Sequence, residues 1–358
     1  MTNEPRRRLS RRAVIRQLGL LGGAVALAPL LSACGRGEPA VESPAPAPTQ
    51  TRVASPTASA AGAATPTPAS PTPTSTPAGE RVVRHAMGQA TVPAAPQRVV
   101  VLDMGELDIA LALGVQPIGY ATYTANEELA PYLQERMTES TWVGTVTEPD
   151  LELVLSLQPD LILTNKLRHE AIYQQLSQIA PTVCSETVGV VWKENLQLFA
   201  EALGKAEEGE RLMADYFARL EEFKRAMGPR LDETEVSLVR SFPDHVRIYM
   251  KASFMGSVVE DAGLPRPPAQ DKDIFMEEAT AERIRDLDGD VMFIMYWNRQ
   301  QGEQLSQLMQ HPLWSRLDVV QQGRVYEVDD RIWGTGLGPL AANRIIDDLF
   351  KYLVEEWA

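Results

Sequence analysis

The chain holds 358 residues, with 48 acidic and 34 basic side chains, a formal net charge of −14 at neutral pH and only two cysteines. That balance excludes nucleic-acid binding by bulk electrostatics, and two cysteines cannot build a disulfide framework. The length is more than one hydrophobic core comfortably fills.

The charge is unevenly spread. The first 33 residues carry six Arg against one Glu, net +5, which leaves −19 for the remainder. Ser10-Arg11-Arg12-Ala13-Val14-Ile15-Arg16 precedes an uncharged run from Gln17 to Ala33 that ends in Leu31-Ser32-Ala33-Cys34. A basic head, an apolar stretch and small residues at its end form the layout of an export signal. A spanning helix needs about 20 apolar residues. This run is shorter and is interrupted by Gly19, Gly22, Gly23 and Pro29, so a cleaved signal is preferred to an uncleaved anchor. The arginine run resembles a twin-arginine signal, with Val14 where Phe is commonest, and Leu31 to Cys34 resembles the lipobox of bacterial lipoproteins. The resemblance implies that Cys34 becomes the lipidated first residue of a mature protein, exported and anchored to the outer face of the cell membrane or in the periplasm. Cys184 then has no intrachain partner and is expected as a small buried apolar residue.

Residues 35–79 are almost wholly Pro, Thr, Ala, Ser and Gly, ten of the 45 being Pro. Such a segment cannot bury a core and is expected to be disordered and extended, with an upper reach of about 140 Å in polyproline geometry. The expected organisation is a signal at 1–33, a lipidated cysteine and linker at 34–80, a first lobe at 81–203, an inter-lobe helix at 204–228 and a second lobe at 229–358.

The folded part alternates strands and helices. Strands are expected at Arg98–Leu102, Val115–Tyr120, Asp160–Thr164 and Thr182–Cys184, with helices at Glu106–Leu113, Leu151–Leu157 and His169–Ile179. Gly114 is a natural end to the first helix. A second set has strands at Glu235–Arg240, Asp290–Met295 and Arg324–Val328, and helices at Ser257–Ala262, Ala281–Leu287 and Pro339–Val354. Between the sets, Gly204–Met227 reads as one helix of about 24 residues, roughly 35 Å long. The pattern implies two Rossmann-like α/β lobes with mainly parallel sheets, joined by one long backbone helix. Such a strut predicts small hinge motion.

The two sets echo each other. Leu151-Glu152 stands before Leu157-Gln158-Pro159-Asp160, and Ala281-Glu282 before Leu287-Asp288-Gly289-Asp290, in the same register. Each Glu lies in a first helical turn, where a carboxylate favours the helix dipole. Local stabilisation explains one such Glu; one per lobe at the same place suits docking against two basic sites on a partner.

Seven stretches carry a wider resemblance. They are Arg98 to Asp103, Ala112 to Gly119, Asp150 to Ile162 and Arg168 to Val183 in the first lobe, joined by Val246 to Tyr249, Gly256 to Leu264 and Ala341 to Leu349 in the second. From them residues 81–358 are identified as similar to the iron-siderophore substrate-binding proteins of ATP-driven importers, a family of two α/β lobes on a helical backbone. The resemblance implies a non-enzymatic receptor for iron uptake that captures a ferric siderophore, of hydroxamate or carboxylate type, and delivers it to an ABC permease. It implies that Glu152 and Glu282 meet basic residues of the permease, and that no cofactor is bound permanently. A monomer is expected.

Ligands of open α/β sheets sit beyond the carboxyl ends of the strands. Residues expected there are Met104, Tyr120, Tyr123, Arg168, Arg240, Trp297 and Trp333, with Tyr249 beside them. A coordinatively saturated ferric complex asks for guanidinium forks and aromatic faces, and Arg168 and Arg240 supply one fork per lobe. Surface ion pairing is the alternative for each Arg, and packing the alternative for Trp297. A direct metal receptor is disfavoured because only His85, His169, His245 and His311 are present and only His169 falls near the cleft. Gly334-Thr335-Gly336-Leu337-Gly338 lies too near the end of the chain for a dinucleotide fingerprint and reads as a turn. Cobalamin or haem on the same fold stays open, with Tyr120, Tyr123 or His169 as the haem ligand.

Overall fold

The computed structural model describes residues 79–125, 127–299 and 303–356. The export signal, Cys34 and the linker up to residue 78 lie outside them. An antiparallel hairpin, β1 (Glu80–His85) and β2 (Gly88–Pro93), leads into a sheet of β3 (Val99–Val101), β4 (Gly119–Thr122), β5 (Thr141–Thr145), β6 (Leu161–Asn165) and β7 (Thr182–Ser185). Its order is β5-β4-β3-β6-β7 and every pairing is parallel. The second sheet contains β8 (Val236–Ser241), β9 (Val246–Tyr249), β10 (Met276–Glu278), β11 (Val291–Tyr296) and β12 (Val325–Glu327), in the order β10-β9-β8-β11-β12. It is parallel from β8 to β12 and antiparallel through β9 and β10.

Burial on both faces explains the short β-branched strands. Val99 and Val101 enter one apolar cluster, while Val100 and Leu102 enter another on the opposite face. Val291, Phe293 and Met295 likewise part from Met292 and Ile294. This is the two-residue period of a strand. The inner cluster runs through both lobes without a break, and Cys184 is fully buried.

The lobes share a helical backbone. The strut spans Ala206–Met227, 22 residues, shorter than expected because Gly204, at φ +71°, ends a separate helix, Trp192–Leu203. A Cβ at Gly204 would also meet the Arg81 guanidinium, which donates to Glu201 O at 2.9 Å. Trp192 packs edge-on to Tyr216 at 5.0 Å and reaches Ser257 Oγ at 3.3 Å. Asp108, buried in the Met104–Ala112 helix, accepts the N–H groups of Leu340 (2.8 Å) and Ala341 (2.9 Å) at the start of the closing helix, Pro339–Leu349. Among the described residues no helix is long and apolar enough to cross a membrane.

Other local differences have identifiable causes. The helix expected at His169–Ile179 begins at Lys166, because Asn165 caps the Arg168 N–H, and it is broken by a 3₁₀ turn at Glu170–Ile172. Ser253 caps Gly256 N, so the next helix starts at Phe254. Ala281–Leu287 is 3₁₀ in form, and the closing helix widens into a π turn at Phe350–Glu355.

Candidate functional site

A cavity of about 530 Å³ opens beyond the carboxyl ends of β6, β7, β8 and β11, within the size range of ligand sites. Both lobes line it. Arg168, Arg240 and Arg247 supply its positive charge, and Tyr123, Phe242, Tyr249, Phe254, Phe275 and Trp297 its aromatic surface. A larger cavity of about 860 Å³ adjoins it and shares Trp297 and Thr335. Its walls carry Glu127, Glu128, Glu327, Asp329 and Asp330 against Arg299 and Arg331. An anion is repelled there, so the smaller basic cavity is the candidate site.

The three arginines are held differently. Arg168 follows β6 on the short helix capped by Asn165, and its side chain is 27 % exposed. Its Nε donates to Asp103 Oδ2 at 3.2 Å, and its guanidinium lies 5.9 Å from the Tyr123 ring centroid. Asp103 is itself buried and caps Met104 N at 2.7 Å. Arg240, at the end of β8, is 5 % exposed. It grips Asp330 with both arms, at 2.6 and 2.8 Å, and also donates to Tyr249 Oη and Gly334 O. Phe242 and Trp297 stand 4.9 and 5.1 Å from its guanidinium carbon. Gly334 permits this approach, since a Cβ there would stand 2.7 Å from Arg240 Cζ.

Arg247 went unread as a ligand contact in the sequence. It lies mid-strand on β9, directly opposite Arg240 in the β8–β9 register, with its guanidinium 4.6 Å from the Phe242 ring. Its buried Nε has no hydrogen-bond partner among the described residues. Like charges facing each other across a strand pair are destabilising; Asp330 compensates Arg240, and Arg247 has no such ion pair among the described residues. The available signal was the alternation Val246-Arg247-Ile248, which places an Arg between two buried residues.

Not every expected residue reaches the cavity. Arg168, Arg240, Tyr249, Trp297 and Tyr123 line it, whereas Met104, Tyr120 and Trp333 do not. Met104 begins its helix with the side chain in the core, and Tyr120 packs against the same cluster. Trp333 ends the short helix Asp330–Trp333, which turns the indole inward onto Phe293 at 4.7 Å and bonds it to Asp348 at 2.8 Å. Leu337 and Met255 line the wall instead. His169 is buried, with Nδ1 against Thr164 Oγ1 at 2.5 Å. Among the described residues no three His, Cys, Asp or Glu side chains are grouped to hold a metal ion.

The electrostatics of the wall follow from burial. The Glu106 carboxyl is raised to about 8, by desolvation first and by the Asp103 charge second, against the Asn165 hydrogen bond and the Arg168 charge. Burial foremost, and then Asp103, lift the Tyr123 phenol well above its usual range. Glu152 and Glu282 both lie exposed in a first turn, one per lobe. The Thr280 hydrogen bond, the leading influence, lowers the Glu282 carboxyl.

Two α/β lobes on a helical backbone, with a cleft between strand ends, define a solute-receptor architecture. The model of the Periplasmic binding protein family matches residues 99–332, and the chain belongs to that family. It is 38 % identical over 287 residues to the probable siderophore-binding lipoprotein YfiY of Bacillus subtilis, covering 77 % of this chain and 88 % of that protein. It is 30 % identical over 264 residues to the achromobactin-binding periplasmic protein of Dickeya dadantii, covering 72 % and 86 %. Among solved structures, SirA of Staphylococcus aureus complexed with staphyloferrin B matches with a TM-score of 0.70 and 29 % identity, over 76 % of this chain and 98 % of that one.

Proposed function

We propose that this protein is an extracytoplasmic receptor that captures a ferric siderophore and delivers it to an ABC permease for iron uptake. The observation that carries the reading is the basic aromatic cavity, above all the Arg240–Arg247 pair facing each other over Phe242. A saturated ferric complex needs no protein ligand to iron; it needs charge-assisted hydrogen bonds to its outer oxygens and flat faces for its organic frame. A ferric carboxylate complex satisfies both, and the similar SirA structure is a complex with staphyloferrin B. Haem fits less well. Of the residues that could ligate its iron, neither Tyr120 nor His169 lines the cavity, and Tyr123 lies against the Arg168 guanidinium.

Lipid on Cys34 and the Pro-rich linker tether the receptor near the membrane, and Glu152 and Glu282 dock one lobe each on the permease. The negative bulk of the chain opposes an anionic ligand only at long range, and salt screens that beyond about 8 to 10 Å. Titration with ferric staphyloferrin B, followed by tryptophan fluorescence, tests the site. Arg168→Ala and Arg247→Ala are each expected to raise the dissociation constant at least about tenfold, the loss of a charge-assisted bond. Wild-type affinity in both variants overturns the assignment.

A further inference from the structure

The first-lobe wall of the cleft holds two buried carboxyl groups for one guanidinium. Asp103 and Glu106 stand three residues apart, 0 % and 1 % exposed. Asn165 spans them: its Nδ2 donates to Asp103 Oδ2 at 3.1 Å and to Glu106 Oε1 at 3.2 Å, while its Oδ1 accepts the Arg168 backbone N–H at 3.0 Å. Both amide hydrogens and the carbonyl are thereby used, which fixes the amide orientation. Arg168 Nε pairs with the same Asp103 oxygen. One guanidinium balances one carboxylate, and a second ionised carboxyl beside it, closed off from water, would stand uncompensated.

The surrounding groups do not supply the missing charge. Tyr123 from the segment after β4 and Cys184 from β7 are both neutral at physiological pH, since burial pushes each upward. His169, beside Arg168, is also neutral, its imidazole lowered by burial. Glu106 Oε2 has no partner among the described residues and is the atom left to carry a proton.

We propose that Glu106 is a positioning residue for ligand capture: it stays a neutral acid so that Asp103 and Asn165 present Arg168 to an anionic ligand, and capture is thereby coupled to its proton. The inference rests on the reading of Arg168 as a ligand contact. Loss of the proton puts a second negative charge behind Arg168, where it draws the guanidinium inward and repels the anion. Alkaline pH then weakens capture, and a side chain at 106 that cannot ionise removes the effect.

Two measurements separate this inference from the receptor reading. In the ligand-free protein, Glu106→Gln should gain thermal stability relative to wild type as pH rises from about 5 to 9, because only the wild type must give up its buried proton. Parallel curves overturn the inference. The second measurement is the dissociation constant for ferric staphyloferrin B at about pH 6.5 and pH 9, where wild type should weaken about threefold or more and Glu106→Gln should change little. Equal pH dependence in both proteins overturns the positioning role, the ligand's own titration being common to them. Failure of wild type to bind this complex at either pH, with the stability difference intact, overturns ferric staphyloferrin B as the ligand and the coupling to its capture, but not the buried proton. Glu106→Met, similar in size and equally unable to ionise, gives the same comparisons if the Gln variant folds poorly.

Discussion

The three arginines of the basic cavity differ in what they already hold. Arg240 is locked to Asp330, both side chains being 10 % exposed or less. Its removal leaves a buried acid without its partner, which costs about 3–5 kcal/mol. Arg240→Ala is therefore expected to lower the melting temperature sharply, whereas Arg247→Ala, with no carboxylate bonded to it among the described residues, should stay within about 1 kcal/mol of wild type. Thermal unfolding of the two variants checks this, and equal losses would contradict it. Arg168 and Arg240 were readable as strand-end arginines, each after a β-branched run. Arg247 was not, because β9 runs antiparallel and a pattern of parallel βα units has no place for it. Trp333 misled for the opposite reason: its distance from β12 suggested the cleft, and a single helical turn rotated it into the core.

Between elements, side chains capping helix ends decide how the parts join. Asp108 is the clearest case, accepting two N–H groups of the closing helix from the opposite lobe. Asp108→Ala leaves both donors without their acceptor and is expected to cost about 1–3 kcal/mol, read as a lower denaturant midpoint. Burial raises this carboxyl from 3.8 to about 7, against the pull of the two N–H bonds. Across that interval the folded protein keeps a proton that the unfolded chain releases, so the contribution of Asp108 is full in acid and falls as pH rises. The stability gap between wild type and the Ala variant should therefore narrow from about pH 4 to pH 7, and a widening gap would contradict the assignment. Propensity and period made most helices visible. They did not show the Trp192–Leu203 helix, which precedes the strut and ends where Gly204 adopts a left-handed conformation over Arg81. The β1–β2 hairpin was likewise missed: with an exposed, partly charged strand, it lacks a clean hydrophobic alternation.

Over the whole molecule, the shared core and the strut make one helical backbone beneath a cleft whose walls come from both lobes. A helix resists bending more than loops do, so ligand capture on this frame is expected to need little hinge movement. The two-lobe architecture was readable because βα alternation repeats at a constant offset, with Glu152 and Glu282 as matching marks. The ligand class was less readable, since it depends on side chains that converge only after both sheets have formed. The cavity is expected to receive an anionic ferric complex, and the decisive measurement is equilibrium titration against ferric staphyloferrin B, ferric citrate, a ferric hydroxamate, haem and cobalamin. Sub-micromolar binding of at least one ferric siderophore, stronger than about −8 kcal/mol and weakened by Arg168→Ala, is the expected result. Tight binding of haem or cobalamin with none of the ferric complexes retained would contradict it.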